Sequence, residues 1–205
     1  MAAFNPYNIV RQFEEEIATW ANAPYAVAVE SCSAALFLSL QYRNVKGKEV
    51  TIPSHTYPSV PCGIINSGGK VKWNHDDWLG TYELKPFKII DAALRFRPNM
   101  YKPGTLYCLS FHIKKHLPIG RGGMILTDSK EAYKWLKKAR FDGRDEVFLR
   151  NDPLTQLGWN MYMTPDQAAR GLELFSHMHD KTPEDLRSDL QNYPDLSKFP
   201  IYDQT

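Results

Sequence analysis

Short β-prone runs alternating with helical stretches predict an α/β domain built on a mostly parallel sheet flanked by helices. A second observation agrees with the first. The polar residues that stand out, Ser31 to Ser33, Ser54 to Tyr57, Asp91 and Ser110 to Lys115, fall at the ends of the expected strands. In open α/β sheets, ligands sit beyond the carboxyl ends of the strands. No internal repeat or low-complexity stretch competes with this reading.

The elements follow in order. Phe13, Ile17 and Trp20 recur at i, i+4 and i+7, predicting an amphipathic helix over about 8–22 that Pro24 ends. Tyr25 to Val29 is a short strand, and Ala34 to Tyr42 an apolar helix with Ser33 as its expected N-cap. Glu49 to Pro53 is a strand, Ser59 to Asn66 a helix closed by Ser67-Gly68-Gly69, and Lys70 to Trp73 a third strand. Lys88 to Asp91 is a short buried strand ending in a carboxylate. Thr105 to Phe111 and Gly123 to Thr127 are strands joined by a polar, Gly-containing link. Lys130 to Phe141 has helical periodicity and 142–158 reads as a loop. Pro165 to His179 is a last helix with Thr164 as cap and proline at the first helical position. Residues 1–180 are thus expected to form one domain. Residues 181–205, with Pro183, Pro194 and Pro200, are expected to form an irregular tail.

Composition narrows the function. The 205 residues are 43% hydrophobic and 23% charged, suited to a globular domain with a substantial core. A net charge of +2 points to neither a nucleic acid nor a membrane surface as partner. The densest basic run, Lys134 to Arg140, is interrupted by apolar positions and reads as one solvated helix face. Cys32, Cys62 and Cys108 are widely spaced, with no CxxC pair and no Cys/His ligand spacing, so no metal site is expected and the thiols read as small core residues. The sequence from Met1 to Pro6 is not a charged leader followed by an apolar run, and no stretch approaches a membrane span. A reduced, cytoplasmic setting is the expectation.

Five segments carry a resemblance. They are Ser31-Cys32-Ser33-Ala34-Ala35-Leu36, Pro53-Ser54-His55-Thr56-Tyr57, Ile89-Ile90-Asp91-Ala92-Ala93, Ser110-Phe111-His112-Ile113-Lys114-Lys115 running on to Gly120-Arg121-Gly122-Gly123, and Leu157-Gly158-Trp159-Asn160-Met161-Tyr162-Met163-Thr164 with Gln167-Ala168-Ala169. In content and order they resemble the motifs of the DegT/DnrJ/EryC1/StrS sugar-aminotransferase family, whose members use pyridoxal 5′-phosphate (PLP) on the fold-type I scaffold. The resemblance implies that Lys115 is the Schiff-base lysine and that Asp91 pairs with the pyridine nitrogen. It implies that Cys32 and Ser33 bind the phosphate at a helix start, that Ser110 adds a hydroxyl, and that Tyr57 stacks on the ring. Asn160 would reach the phosphate of a partner subunit in a homodimer with composite sites. The substrates implied are a nucleotide-linked keto sugar and an amino donor such as glutamate.

Each residue also has a plainer reading. Lys115 could be a solvated surface lysine, Asp91 a turn or cap residue, Ser33 an N-cap, Ser110 a strand-end serine, Tyr57 a core tyrosine and Asn160 a turn asparagine. His112 and His116 lack ligand spacing and read as local packing. The sequence also departs from the family. Cys32 replaces a glycine, Leu94 a Gln or His, and Tyr162 an Arg; the stretch from Trp73 to Lys88 is abbreviated, and the small C-terminal domain is largely missing. A PLP sugar dehydratase of the same family is a rival, opposed by Lys115 because such members carry histidine there. A non-catalytic PLP-fold binding or regulatory protein is the other, favoured by the short length.

Overall fold

The computed structural model describes residues 5–147, 149–178, 181–186 and 193–203. Among them are helices α1 (Asn8–Ala21), α2 (Cys32–Tyr42), α3 (Ser59–Asn66), α4 (Lys130–Ala139) and α5 (Pro165–Ser176). The strands are β1 (Tyr25–Val29), β2 (Glu49–Pro53), β3 (Lys70–Asn74), β4 (Tyr82–Leu84), β5 (Ile89–Asp91), β6 (Leu106–Ser110) and β7 (Gly123–Thr127). The last expected helix stops at Ser176, and residue 179, its expected end, lies outside the described residues, as do 187–192 and 204–205 of the tail.

The α/β class stands, but the sheet is mixed in its pairing. Five strands lie in the order β1-β7-β6-β5-β4, and β2 pairs in parallel with β3 alongside. A single bridge, Thr51 to Lys85, with backbone bonds in both directions, joins the two groups. β5 and β6 are parallel, whereas β7 is antiparallel to both its neighbours and β4 is antiparallel to β5. The sequence reading missed β4. Three residues give almost no periodic signal, and the four-residue link from Lys85 to Lys88 is too short for anything but a hairpin, since a parallel crossover needs a dozen residues or more.

Both faces of the sheet are covered. Along β7, Met124 and Leu126 join a cluster with Phe13, Ile17, Phe111 and Phe175 on the α1/α5 side. Ile125 between them faces Leu38, Leu40, Ile64 and Leu136 on the α2/α3/α4 side. Strands buried on two sides show continuous apolar runs rather than alternation, as Met124-Ile125-Leu126 does.

Two local expectations need correction. The cap of α2 is Ser31, whose hydroxyl accepts from the Ala34 N–H at 3.1 Å; Ser33 lies within the first turn, its hydroxyl 2.7 Å from that of Ser59. The basic run on α4 is not simply a solvated face. Arg140 is 1% exposed, donating to Glu14 and to the carbonyl of Ala28, and Lys137 donates to Glu14 at 3.1 Å. The Glu14 carboxylate in turn accepts the Ala28 N–H at 2.8 Å, so this buried cluster satisfies both backbone groups of Ala28 on the outer edge of β1. On α5 the Thr164 cap is present as expected, completed by Gln167, whose side chain accepts from the Thr164 N–H at 3.0 Å.

Candidate active site

The ends of β2, β5 and β6 and the start of α2 open onto one cavity of about 920 Å³. Its lining includes Cys32, Ser33, Tyr57, Asp91, Ser110 and Lys115. Six of the seven candidate residues, drawn from four segments of the chain, therefore meet in one place. Asn160 does not line it within this chain. It is exposed, and its side-chain amide donates to Asp142 Oδ2 at 3.2 Å.

The geometry at the start of α2 follows from glycine. A Cβ on Gly123 would lie 2.6 Å from the Cys32 nitrogen and closer still to the Ser31 carbonyl group, so only glycine lets β7 press against the start of α2. The first N–H groups of a helix lack intrahelical partners and favour an anion. Here they open beside the hydroxyls of Ser33, Ser59 and Ser110. Cys32 turns its sulfur inward, 3.9 Å from the Cys108 carbonyl. Burial, with Asp91 nearby, pushes its thiol pKa well up, so it is a neutral thiol. Cys108 is a core residue as expected, but Cys62 is exposed.

Asp91 closes the inner wall at 5% exposure. Its Oδ1 accepts from the Ala93 N–H at 2.9 Å and its Oδ2 from the Tyr82 hydroxyl at 2.8 Å. Burial raises the carboxyl above the usual aspartate value, while these two bonds and the Lys115 charge oppose that rise. Lys115 sits in a turn closed by its own N–H donating to the His112 carbonyl at 2.8 Å. Burial lowers its amine below the ordinary lysine value, against the pull of Asp91. Lys114, next to it, is exposed. Tyr57 is 59% exposed on the cavity wall, which removes the core-tyrosine reading.

Several lining residues were given no role by the sequence reading. Tyr193 comes from the tail, with its ring 6.5 Å from that of Tyr57 and its carbonyl 2.9 Å from His55 Nδ1. The tail is anchored there by the Leu196 N–H donating to the Ser54 carbonyl at 2.9 Å. Thr56 sits within a segment that had been singled out for its neighbour Tyr57. Trp78 lies in the abbreviated link, where its indole N–H donates to the His55 carbonyl at 2.9 Å. Nothing local in the sequence marks a distant tail residue as part of a site. Among the described residues no group of His, Cys, Asp and Glu could hold a metal ion, and no helix is long and apolar enough to cross a membrane.

The residues present fit PLP. A helix start with hydroxyls suits its phosphate, a carboxylate on the inner wall suits its ring nitrogen, and a lysine with a lowered pKa suits its aldehyde. Comparison with solved structures agrees on the scaffold. 3-Amino-5-hydroxybenzoic acid synthase superposes with a TM-score of 0.72 at 19% identity, over 83% of this chain and 56% of that one. An aminotransferase from Psychrobacter cryohalolentis gives 0.68 at 20%, over 84% and 57%. A GDP-4-keto-6-deoxymannose-3-dehydratase gives 0.64 at 19%, over 83% and 61%. The architecture is that of the PLP-dependent aminotransferases. The model of the DegT/DnrJ/EryC1/StrS aminotransferase family matches residues 2–92 and 101–191, and the chain belongs to that family. It is 27% identical to the spore coat polysaccharide biosynthesis protein SpsC of Bacillus subtilis, over 83% of this chain and 57% of that protein. It is 25% identical to the 3-oxo-glucose-6-phosphate:glutamate aminotransferase of the same organism, over 84% and 48%. The chain thus spans about half the length of these curated relatives.

Proposed function

We propose that this chain holds PLP and serves an aminotransferase reaction, moving an amino group from glutamate to a keto sugar linked to a nucleotide. The observation that carries the reading is Lys115 and Asp91 on one cavity with the serine-lined start of α2. When bound, PLP supplies an electron sink for negative charge developing on a substrate carbon. The chain's own residues then divide the remaining work. The backbone N–H groups of Cys32 and Ser33, with the hydroxyl of Ser110, hold the phosphate. Tyr57 covers one ring face, and Asp91 keeps the ring nitrogen protonated. Lys115 anchors the cofactor and, as a neutral amine, carries a proton to and from the substrate carbon. Burial lowers its pKa below the ordinary lysine value, which raises the neutral fraction at any given pH. The name of one relative specifies a keto sugar phosphate and glutamate, and the nucleotide is what the resemblance of the motifs implies. The dehydratase fold neighbour keeps that rival in view, and Lys115 opposes it.

Borohydride reduction of protein loaded with PLP, followed by peptide mapping, is expected to place the pyridoxyl mass on Lys115. Lys115→Ala is expected to stay folded and lose that mass. Label on Lys114, or on no lysine, overturns the assignment. Adding glutamate should then change the cofactor's absorbance; a bound cofactor that no amino acid alters points instead to a binding protein.

A further inference from the structure

We propose that Tyr82 is a positioning residue for Asp91, its hydroxyl, backed by Thr56, holding the carboxylate ionised and aimed into the cavity. The inference rests on the reading that Asp91 faces the PLP ring nitrogen. The β4–β5 register sets Tyr82 directly opposite Asp91. The Tyr82 hydroxyl donates to Oδ2 at 2.8 Å, and Thr56 Oγ1 lies 2.6 Å from the same phenol oxygen. Because the phenol's one proton is committed to Asp91, Thr56 must be the donor in the second bond. The chain of hydroxyls therefore points one way, from Thr56 through Tyr82 to the carboxylate. All three residues are buried, at 1%, 8% and 5% exposure. The phenol is held in place by Trp78, whose ring packs edge-on at 4.7 Å and whose indole nitrogen is tied to the His55 carbonyl.

A buried carboxylate tends to take up a proton, and donors to its oxygens oppose that. Protonated Asp91 would only donate to a ring nitrogen, whereas ionised Asp91 holds that nitrogen as a cation. Tyr82 thus decides where the shared proton rests. The other titratable groups facing Asp91 are Cys32 of α2, Cys108 of β6, Lys115 and Tyr193; of these only Lys115 is a cation that favours the ionised form. A hairpin three residues wide therefore bears directly on the site, although Tyr82 itself is set behind the cavity wall.

The experiment uses protein labelled with ¹³C at the aspartate carboxyls, titrated without cofactor, the Asp91 signal being assigned with Asp91→Asn. Tyr82→Phe is expected to move the Asp91 midpoint upward. With ¹⁵N-labelled PLP, the same variant should shift the ring nitrogen resonance toward the unprotonated pyridine and weaken PLP binding about tenfold, the effect of one hydrogen bond to a charged group. Thr56→Val, close in shape to the native residue, should move both signals the same way by less; it decides the question if Tyr82→Phe does not fold. An Asp91 midpoint and a nitrogen resonance that stay at wild-type values in the folded variants overturn the proposal. If the wild-type protein binds no PLP, the cofactor reading falls, while the cofactor-free titration still shows whether Tyr82 governs Asp91.

Discussion

Asp91 is held between two opposing influences: a buried position that resists its charge, and a pair of donors with a lysine that favour it. Its folded-state pKa is nonetheless raised, so deprotonating it costs stability relative to the unfolded chain. The pH dependence follows. Stability contributed by Asp91 is fully present below the ordinary carboxylate range and is lost as pH rises through the raised value. Asp91→Asn carries no such charge, and its amide can still accept from Ala93. The variant should therefore gain on the wild type in thermal stability as pH rises from the ordinary aspartate range toward neutrality. In loaded enzyme, losing one charged contact to the cofactor is expected to lower turnover about ten- to a hundredfold. Unchanged turnover would leave Asp91 with a structural role alone. This residue was legible in the sequence because it ends an apolar strand within a recognisable motif. Tyr82, which sets its charge, was not, since a lone tyrosine in a polar stretch announces no partner nine residues away.

At the scale of elements, legibility depended on length and local chemistry. Helix α1, with Phe13, Ile17 and Trp20 on one side, and α4 declared themselves by period, while α2 and α5 were marked by an apolar run or by cap and proline. The three-residue β4 did not, and with it went the mixed character of the sheet. The cap of α2 was misplaced by two residues because Ser31 and Ser33 are chemically equivalent in sequence; only the backbone chooses between them, with Ser31 extended and its hydroxyl bonded to Ala34. The basic run on α4 misled for a different reason. A lysine or arginine signals water unless a buried carboxylate waits for it, and Glu14 lies more than a hundred residues away. That cluster ties α1, β1 and α4 together through both polar groups of Ala28. Glu14→Gln should remove one of the two carboxylates on Arg140, leaving Glu146 at 3.0 Å, and cost about 1–3 kcal/mol in urea denaturation with an unchanged slope. A loss under about 1 kcal/mol would mean that the ions are effectively solvated.

On the scale of the whole molecule, six of the seven candidate residues line the cavity within one chain, while Asn160 lies outside it and donates to Asp142. The same loop region exposes Val147, Leu149, Leu154 and Leu157, the last at 88%. Apolar side chains grouped on one exposed segment are commonly covered by a partner. Gly143 and Gly158 allow the two sides of this loop to pack backbone against backbone, since a Cβ on Gly158 would meet the Gly143 main chain. The loop is therefore a built feature with its apolar groups turned outward. If a second copy covers it as the family resemblance implies, Asn160 would touch the phosphate of the neighbouring site and each site would be composite. A charge-assisted hydrogen bond to phosphate contributes roughly 1.5–3 kcal/mol, or about one to two decades in cofactor affinity. The protein is thus expected to sediment as a dimer, and Asn160→Ala to weaken PLP binding by that amount without changing its unfolding midpoint in the absence of cofactor. Dilution into the monomer range should weaken PLP binding in the wild type and have little further effect in the variant, because the contact is already gone. A monomer that binds PLP as tightly as the concentrated protein would show that Asn160 serves only its own loop.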